Sequence, residues 1–278
     1  MYAFKIMELW KKLGMPKPKS EASKGKLSFV DNEVYSGVEL PSMPFFVRLD
    51  GWCFHRIAKE LRLKKPFDKS FSECMVKTAS TFFKFFNPTL AYIFSDEINI
   101  LFTKHTTFKR VEKIDSVFAG LASSTLLKEL SKKKKIKRES CIAFDCRCIP
   151  IEKKDIIGYL IWRQSEAFRN CNNLYAYWLL QKKERLKPRE AAKKVEGMKA
   201  KELRKLIDRY HGLKKIPGWH ERGVLLYKKV YEKEGFDPIK KKKVKVKRLK
   251  VFDDWNLPMF AKNKNFLKEI IEKGFKEE

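Results

Sequence analysis

Phe45-Phe46-Val47-Arg48-Leu49-Asp50-Gly51-Trp52 and Tyr92-Ile93-Phe94-Ser95-Asp96-Glu97, the latter running on in apolar residues to Phe102, decide how this chain reads. Each is an apolar run that meets carboxylates at a turn. Between them, Phe54, Ile57, Ala58 and Leu61 fall on one helical face. After the loop Lys64-Lys65-Pro66-Phe67-Asp68, so do Phe71, Met75, Thr78, Phe82 and Phe86. The order is strand, helix, helix, strand, which predicts an α+β domain. Adjacent strand ends can carry Asp50 and Asp96 to one place, with Glu97 beside them. Two carboxylates held together in a strongly basic chain call for a cation. Mg²⁺ suits carboxylates plus a backbone carbonyl while keeping positions open for phosphate oxygens. Two such ions about 4 Å apart serve in-line phosphoryl transfer. Asp-Gly and Ser-Asp are also ordinary turn pairs, and the residues alone leave both readings open.

Composition narrows the partner. The 278 residues carry 63 Lys and Arg against 34 Asp and Glu, a formal charge of +29. Thermal adaptation raises acids and bases together, so a one-sided excess points to a polyanion, with nucleic acid ahead of a membrane surface. No apolar run approaches the ~20 residues of a membrane span. No signal-peptide core follows Met1 either, and the chain is read as cytoplasmic. The six cysteines are scattered. Cys146-Arg147-Cys148 lacks zinc-site spacing and reads as strand packing, which argues against a zinc or redox protein.

Outside the central stretch, residues 1–42 form a lead-in with a short amphipathic helix (Phe4, Met7, Trp10, Leu13) ended by Pro16 to Pro18. Residues 43–230 read as the main domain and 231–278 as a basic C-terminal segment packed on it. Lys109 to Leu130 has helical spacing, with Val111, Ile114, Phe118, Leu121 and Thr125 inward. At its start Lys109, Arg110 and Lys113 are candidates for a nucleotide phosphate, or an ordinary solvated face. Ser131 to Arg138 is a like-charge run. Cys141 to Ile151 alternates as a strand with Asp145 and Arg147 on one face, an expected ion pair. Asp155 to Gln181 reads as a long helix with Ile157, Leu160, Phe168, Leu174, Tyr175 and Trp178 inward. The same helix carries Arg163, Arg169, Asn172 and Asn173, which can contact RNA or satisfy neighbouring backbone. Two shorter helices and a Pro217 to Gly223 turn lead into a strand from Val224. Lys240 to Lys250 alternates as a strand. Its Lys243, Lys245 and Lys247 protect a sheet edge or, placed beside the acids, follow an RNA backbone.

Arg48-Leu49-Asp50-Gly51, Phe54-His55-Arg56, Lys65-Pro66 and Ser95-Asp96-Glu97 resemble the N-terminal signature of the tRNA-His guanylyltransferase superfamily. Phe144-Asp145-Cys146-Arg147 is similar to its Phe-Asp-Gly-Arg motif. Trp162-Arg163-Gln164 and Asn172-Asn173-Leu174-Tyr175 are similar to its later blocks. The set keeps family order from about Phe45 to Tyr227.

The resemblance implies a polymerase-palm-like antiparallel sheet with flanking helices and a basic C-terminal hairpin. It implies nucleotide addition to the 5′ end of tRNA in the 3′-to-5′ direction, either repair or G addition. Two Mg²⁺ ions, a GTP or other nucleoside triphosphate, and ATP for 5′ activation come with it. On this pattern Asp50, Asp96 and the Gly51 carbonyl hold metal, and Glu97 supports them or pairs with an arginine. His55, Lys65 and Ser95 bind the nucleotide, and a homo-oligomer, a tetramer by family habit, is expected. The family often carries His just before its Asn block, where Cys171 stands here. That departure favours broader 5′-end repair over strict tRNA-His choice. A palm-type nucleotide cyclase would use the same acids without needing the basic surface, and a non-catalytic RNA-binding protein would need the surface without the acids.

Overall fold

The computed structural model describes residues 38–104, 108–237 and 242–276. The strands are β1 (Phe45–Gly51), β2 (Leu90–Phe94), β3 (Glu97–Phe102), β4 (Phe144–Pro150), β5 (Val224–Asp237) and β6 (Lys242–Asp254). All pair antiparallel in the order β4-β1-β3-β2-β5-β6. The helices are α1 (Phe54–Glu60), α2 (Lys69–Phe85), α3 (Val111–Ser131), α4 (Ile156–Lys183), α5 (Pro188–Val195), α6 (Ala200–Tyr210), α7 (Gly218–Arg222) and α8 (Lys264–Lys276). The expected α+β class, an antiparallel sheet with flanking helices, is what forms.

Helices cover both faces of the sheet, which is why β2 and β3 are buried at every residue and read as unbroken apolar runs. Strand alternation divides β1 between two cores. Phe45, Val47 and Leu49 face α2 and α3, where Phe82 and Phe118 pack. Phe46 faces α4 and α8, joining Tyr92, Leu101, Tyr159, Leu160 and Leu267. A third cluster sits between the far half of α4 and α6, around Tyr175, Leu179, Leu203 and Ile207.

Local signals account for the boundaries. Asp68 caps α2, its carboxylate accepting from Phe71 N at 3.0 Å and from Lys64 N at 2.9 Å. Such a cap contributes about 1 kcal/mol. Gly223 sits at φ 73°, and a Cβ there would lie 2.6 Å from the Ile93 carbonyl oxygen. It ends α7, a short helix where the sequence predicts only a turn.

Two helices bury a different stripe from the one expected. In α3 the buried residues are Ile114, Phe118, Ala122, Leu126 and Leu130. The four-residue spacing drifts around the helix and leaves Leu121 and Thr125 at the margin. In α4 the buried face includes Arg163, Gln164 and Asn172, while Leu174 is exposed. This helix serves the sheet at one end and α6 at the other, and its buried polar residues break the apolar period.

The C-terminal strands depart from the compact core. β5 pairs with β2 only over Val224 to Tyr227, but with β6 out to Asp237↔Lys242. Beyond Tyr227 the two form a ribbon, with β6 on the sheet edge. β5 crosses the 230/231 division, so the main and C-terminal segments share one sheet. The lead-in helix around Phe4 to Leu13 lies outside the described residues. Of that segment, Glu39 bridges to Arg110 and Leu40 N donates to the Lys109 carbonyl at 2.9 Å.

Candidate active site

The β2–β3 hairpin turns through two residues, Ser95 at φ 49° and Asp96. A two-residue loop of this kind needs a residue with positive φ. Gly51 N donates to the Asp96 carbonyl at 3.2 Å, which fixes the end of β1 against the turn. In register, Asp50 lies opposite Glu97 on one side and Asp145 on the other. Four acids from three strands and a turn therefore meet at one end of the sheet.

Their charges are handled unequally. Glu97 is buried and accepts both Nε and Nη2 of Arg163, at 2.9 and 2.8 Å. Asn99 Nδ2 donates to the same carboxylate at 2.8 Å, and Tyr159 OH donates to Asn99 Oδ1 at 2.7 Å. Burial still raises the Glu97 pKa, while Asn99 and Arg163 work to lower it. Asp145 pairs with Arg147 at 3.1 Å, the ion pair anticipated from the strand spacing.

Asp50 and Asp96 have no ion-pair partner among the described residues. Burial, then the charge of Asp145, raises the Asp50 pKa. Burial raises that of Asp96 as well, with Asp50 adding to it, against the hydrogen bond from Ser95 Oγ at 2.8 Å. Arg147 and Arg48 lower the Asp50 pKa without forming an ion pair with it, and two desolvated carboxylates next to the Gly51 backbone are the hard oxygen ligands that Mg²⁺ prefers. Among the described residues no group of three or more His, Cys, Asp or Glu encloses an ion on its own. Two carboxylates and a backbone carbonyl leave the remaining positions of a Mg²⁺ ion to water or phosphate oxygens.

A cleft of about 260 Å³ opens beside Asp96. His55, Lys65, Ser95 and Asp96 line it, with Phe54, Phe71 and Leu174 as apolar wall. The residues singled out for the nucleotide from the N-terminal signature thus share one cavity.

Lys109, Arg110 and Lys113 do not reach this cleft within the chain. α3 starts at the Phe45 and Phe102 end of the sheet, and its 21 residues span about 30 Å. Arg110 pairs with Glu112 at 3.2 Å, and Lys113 lies over the Phe108 ring. The basic run after α3 is the one that comes near, since Lys133 pairs with Glu73 and Lys134 bears on Asp68.

The RNA candidates also divide. Arg163 is consumed by Glu97 beneath the acids, so it is a support rather than an RNA contact. Asn172 is buried, its Oδ1 accepting from Arg204 at 3.3 Å, with Nδ2 unpartnered. Arg169 is exposed and pairs with Glu166 at 3.0 Å. Together with Asn173 these two line a groove of about 740 Å³ between α4 and the α5–α6 pair. Leu174 borders both this groove and the cleft beside Asp96.

The lysine row of β6 is not beside the acids. Phe236, opposite Lys243, is 12 residues along β5 from Val224, which pairs with Ile93, a span of about 40 Å. Nor is that face wholly cationic, for Lys247 and Lys245 stand opposite Glu232 and Glu234. The other face carries exposed Lys229, Tyr231, Lys233, Arg248 and Lys250.

Comparison with known proteins settles the family. A family model described as "Thg1: tRNAHis guanylyltransferase" matches residues 32–152. A probable tRNA(His) guanylyltransferase of Drosophila melanogaster is 30% identical over 199 residues, 68% of each chain. The chain belongs to the tRNA(His) guanylyltransferase family. Among solved structures of the family, the Saccharomyces cerevisiae guanylyltransferase superimposes with a TM-score of 0.64 at 26% identity, over 73% of this chain and 93% of that one. A bacterial guanylyltransferase-like protein in complex with GTP gives 0.61 at 25% identity, over 87% and 94%.

Two outcomes follow for this family member. Arg163→Ala leaves a buried Glu97 charge unpaired and should cost about 3–5 kcal/mol in urea unfolding, much of it recovered by adding Glu97→Gln. The carboxyls of Asp50 and Asp96 bind protons more tightly folded than unfolded. Their ionisation therefore removes stability as pH rises from the ordinary carboxylate range through the raised folded values. In metal-free buffer, Asp96→Asn should raise Tm at pH 7 and leave it nearly unchanged at pH 3, as read by calorimetry.

Proposed function

We propose that this chain is a nucleotidyltransferase that adds nucleotides to the 5′ end of a tRNA, growing it in the 3′-to-5′ direction. The observation that carries this reading is the pair Asp50 and Asp96, without an ion-pair partner among the described residues, with Asp96 on the wall of the cleft lined by His55, Lys65 and Ser95. A nucleoside triphosphate, GTP or another, occupies that cleft. Lys65 and His55 meet its phosphates, and the Ser95 hydroxyl is held at the same mouth by its bond to Asp96. The 5′ phosphate of the RNA is first joined to a nucleotide from ATP, releasing pyrophosphate. The 3′-hydroxyl of the bound nucleotide then attacks that phosphorus, and the activating nucleotide leaves.

Asp50, Asp96 and the Gly51 carbonyl would hold Mg²⁺, which when bound neutralises phosphate charge and makes the attacking hydroxyl more acidic. The Arg163 clamp keeps Glu97 from adding a further uncompensated charge. Phe54, Phe71 and Leu174 narrow the cleft and limit competing water. These roles are positioning and charge balance, which dominate phosphoryl transfer.

The remote cations fit a large substrate. A mononucleotide does not span about 40 Å from the acids to Lys243, whereas a folded RNA does. Lys229, Lys233, Arg248 and Lys250 form the better part of that arm surface for phosphates. Cys171, where the family often has His, is fully buried, which supports general 5′-end repair over strict tRNA-His choice. The charge excess supports binding that weakens steeply with salt. Among the described residues no helix is long and apolar enough to cross a membrane, and we read the site of action as cytoplasmic. A tetramer remains part of the proposal.

The test gives the protein a 5′-truncated tRNA, Mg²⁺, ATP and each labelled nucleotide in turn. Wild type should incorporate label. Asp50→Asn and Asp96→Asn should each lose at least about a hundredfold in rate, the scale of several kcal/mol at the reacting phosphorus, while RNA affinity stays within about twofold. Near-normal turnover in either variant would overturn the assignment.

A further inference from the structure

The indole of Trp52 is 60% exposed, two residues past Asp50. A scattered exposed aromatic is ordinary on a protein surface, so placement has to distinguish this one. Trp52 N donates to the Ala143 carbonyl at 2.9 Å, which extends the β1–β4 ladder one step beyond Gly51↔Phe144. Strand alternation then carries Trp52 to the face that holds Asp50 and sends Gly51 to the other. The environment of Gly51 agrees, since a Cβ there would lie 2.4 Å from the Phe54 ring on the α1 side.

The Asp50 face presents side chains to solvent at this end. Asp145 and Arg147 stand on it from β4, with half-exposed side chains. Trp162 of α4 is 49% exposed, with the Arg163 guanidinium 4.3 Å from its ring, and that guanidinium holds Glu97. Trp162 has Tyr159 against its ring edge. Among the described residues the Trp52 ring has no aromatic partner, and its face is open. The nucleotide cleft, with His55, Lys65 and Ser95, lies on the α1 and α2 side of the acids.

We propose that Trp52 is a stacking platform for the base of the 5′-terminal nucleotide of the RNA, on the side of the acids away from the triphosphate cleft. The inference rests on the function proposed above, because a reacting 5′ phosphorus near Asp50 leaves its own base within one nucleotide of the neighbouring indole. Base-on-indole stacking is indifferent to base identity because every base has a π-face. It positions the RNA end without reading its sequence. Trp52 acts by positioning and exchanges no proton or bond with the substrate.

The test is a double-substitution cycle between protein and RNA. Wild type and Trp52→Ala are each titrated, by equilibrium binding in Mg²⁺, with tRNA carrying either an intact or an abasic 5′-terminal nucleotide. Trp52→Ala should weaken intact RNA about 5- to 150-fold, the range of one stacked base. The abasic change should weaken wild type by a similar factor and should add little once Trp52 is gone. Trp52→Phe should restore most of the affinity. In turnover, the KM for RNA should rise while the KM for the triphosphate stays put. Equal losses from the abasic change in both proteins, or unaltered RNA affinity in Trp52→Ala, would overturn the platform. The binding cycle decides this even for a protein that incorporates no nucleotide, and a failed platform in an active enzyme leaves the proposed function standing.

Discussion

Placing carboxylates at the dry end of an antiparallel sheet is costly, and much of this molecule is arranged around that cost. Burial opposes ionisation of both Asp50 and Asp96, with the charge of Asp145 adding to it at Asp50 and that of Asp50 adding to it at Asp96. Among the described residues no cation pairs with either. Glu97 and Asp145, their neighbours in register, each have an arginine. The difference is chemically informative. A fold that needed only quiet acids would pair all four; this one pairs two and leaves two without an arginine, Asp96 of them on the wall of the cleft.

The supports of the pair come from distant parts of the chain. β1 supplies Asp50, the β2–β3 turn supplies Asp96, and the Gly51–Asp96 backbone bond ties them together. α4 delivers Arg163 under Glu97, and Tyr159 one turn earlier steadies Asn99. Removing one member of such a network exposes the desolvation cost of the rest. The sheet is stiff there because its strands are buried on both faces, so packing holds the acids together against their mutual repulsion.

The central unit was legible because its signals are local. Apolar runs ending at Asp50 and at Ser95-Asp96, the helical spacing between them, and the capping Asp68 all report within a few residues. Cys146 and Cys148 also behave as small packing side chains, both against Asp115 on α3. What escaped was set by distance. Nothing near Arg163 in sequence says that its partner is Glu97, 66 positions away, and its family block suggested RNA instead. Lys109, Arg110 and Lys113 fail as neighbours of the cleft because the direction of α3 across the sheet is a tertiary fact. Lys243, Lys245 and Lys247 do lie on a strand, and it is at the sheet edge, but strand register alone reveals Glu232 and Glu234 opposite two of them. The long reach of β5 past its last β2 partner carries that row away from the acids.

These features separate chemistry from grip. Under the proposed function, the acidic end of the sheet, with its cleft and exposed indoles, takes the triphosphate and the RNA end. Under the same proposal, the ribbon about 40 Å away meets the body of the folded RNA. Mn²⁺ binding, followed by electron paramagnetic resonance with a non-hydrolysable nucleoside triphosphate present, tests the central claim most directly. The account predicts saturable Mn²⁺ binding to wild type that is lost in both Asp50→Asn and Asp96→Asn. Undiminished binding in either variant would contradict it.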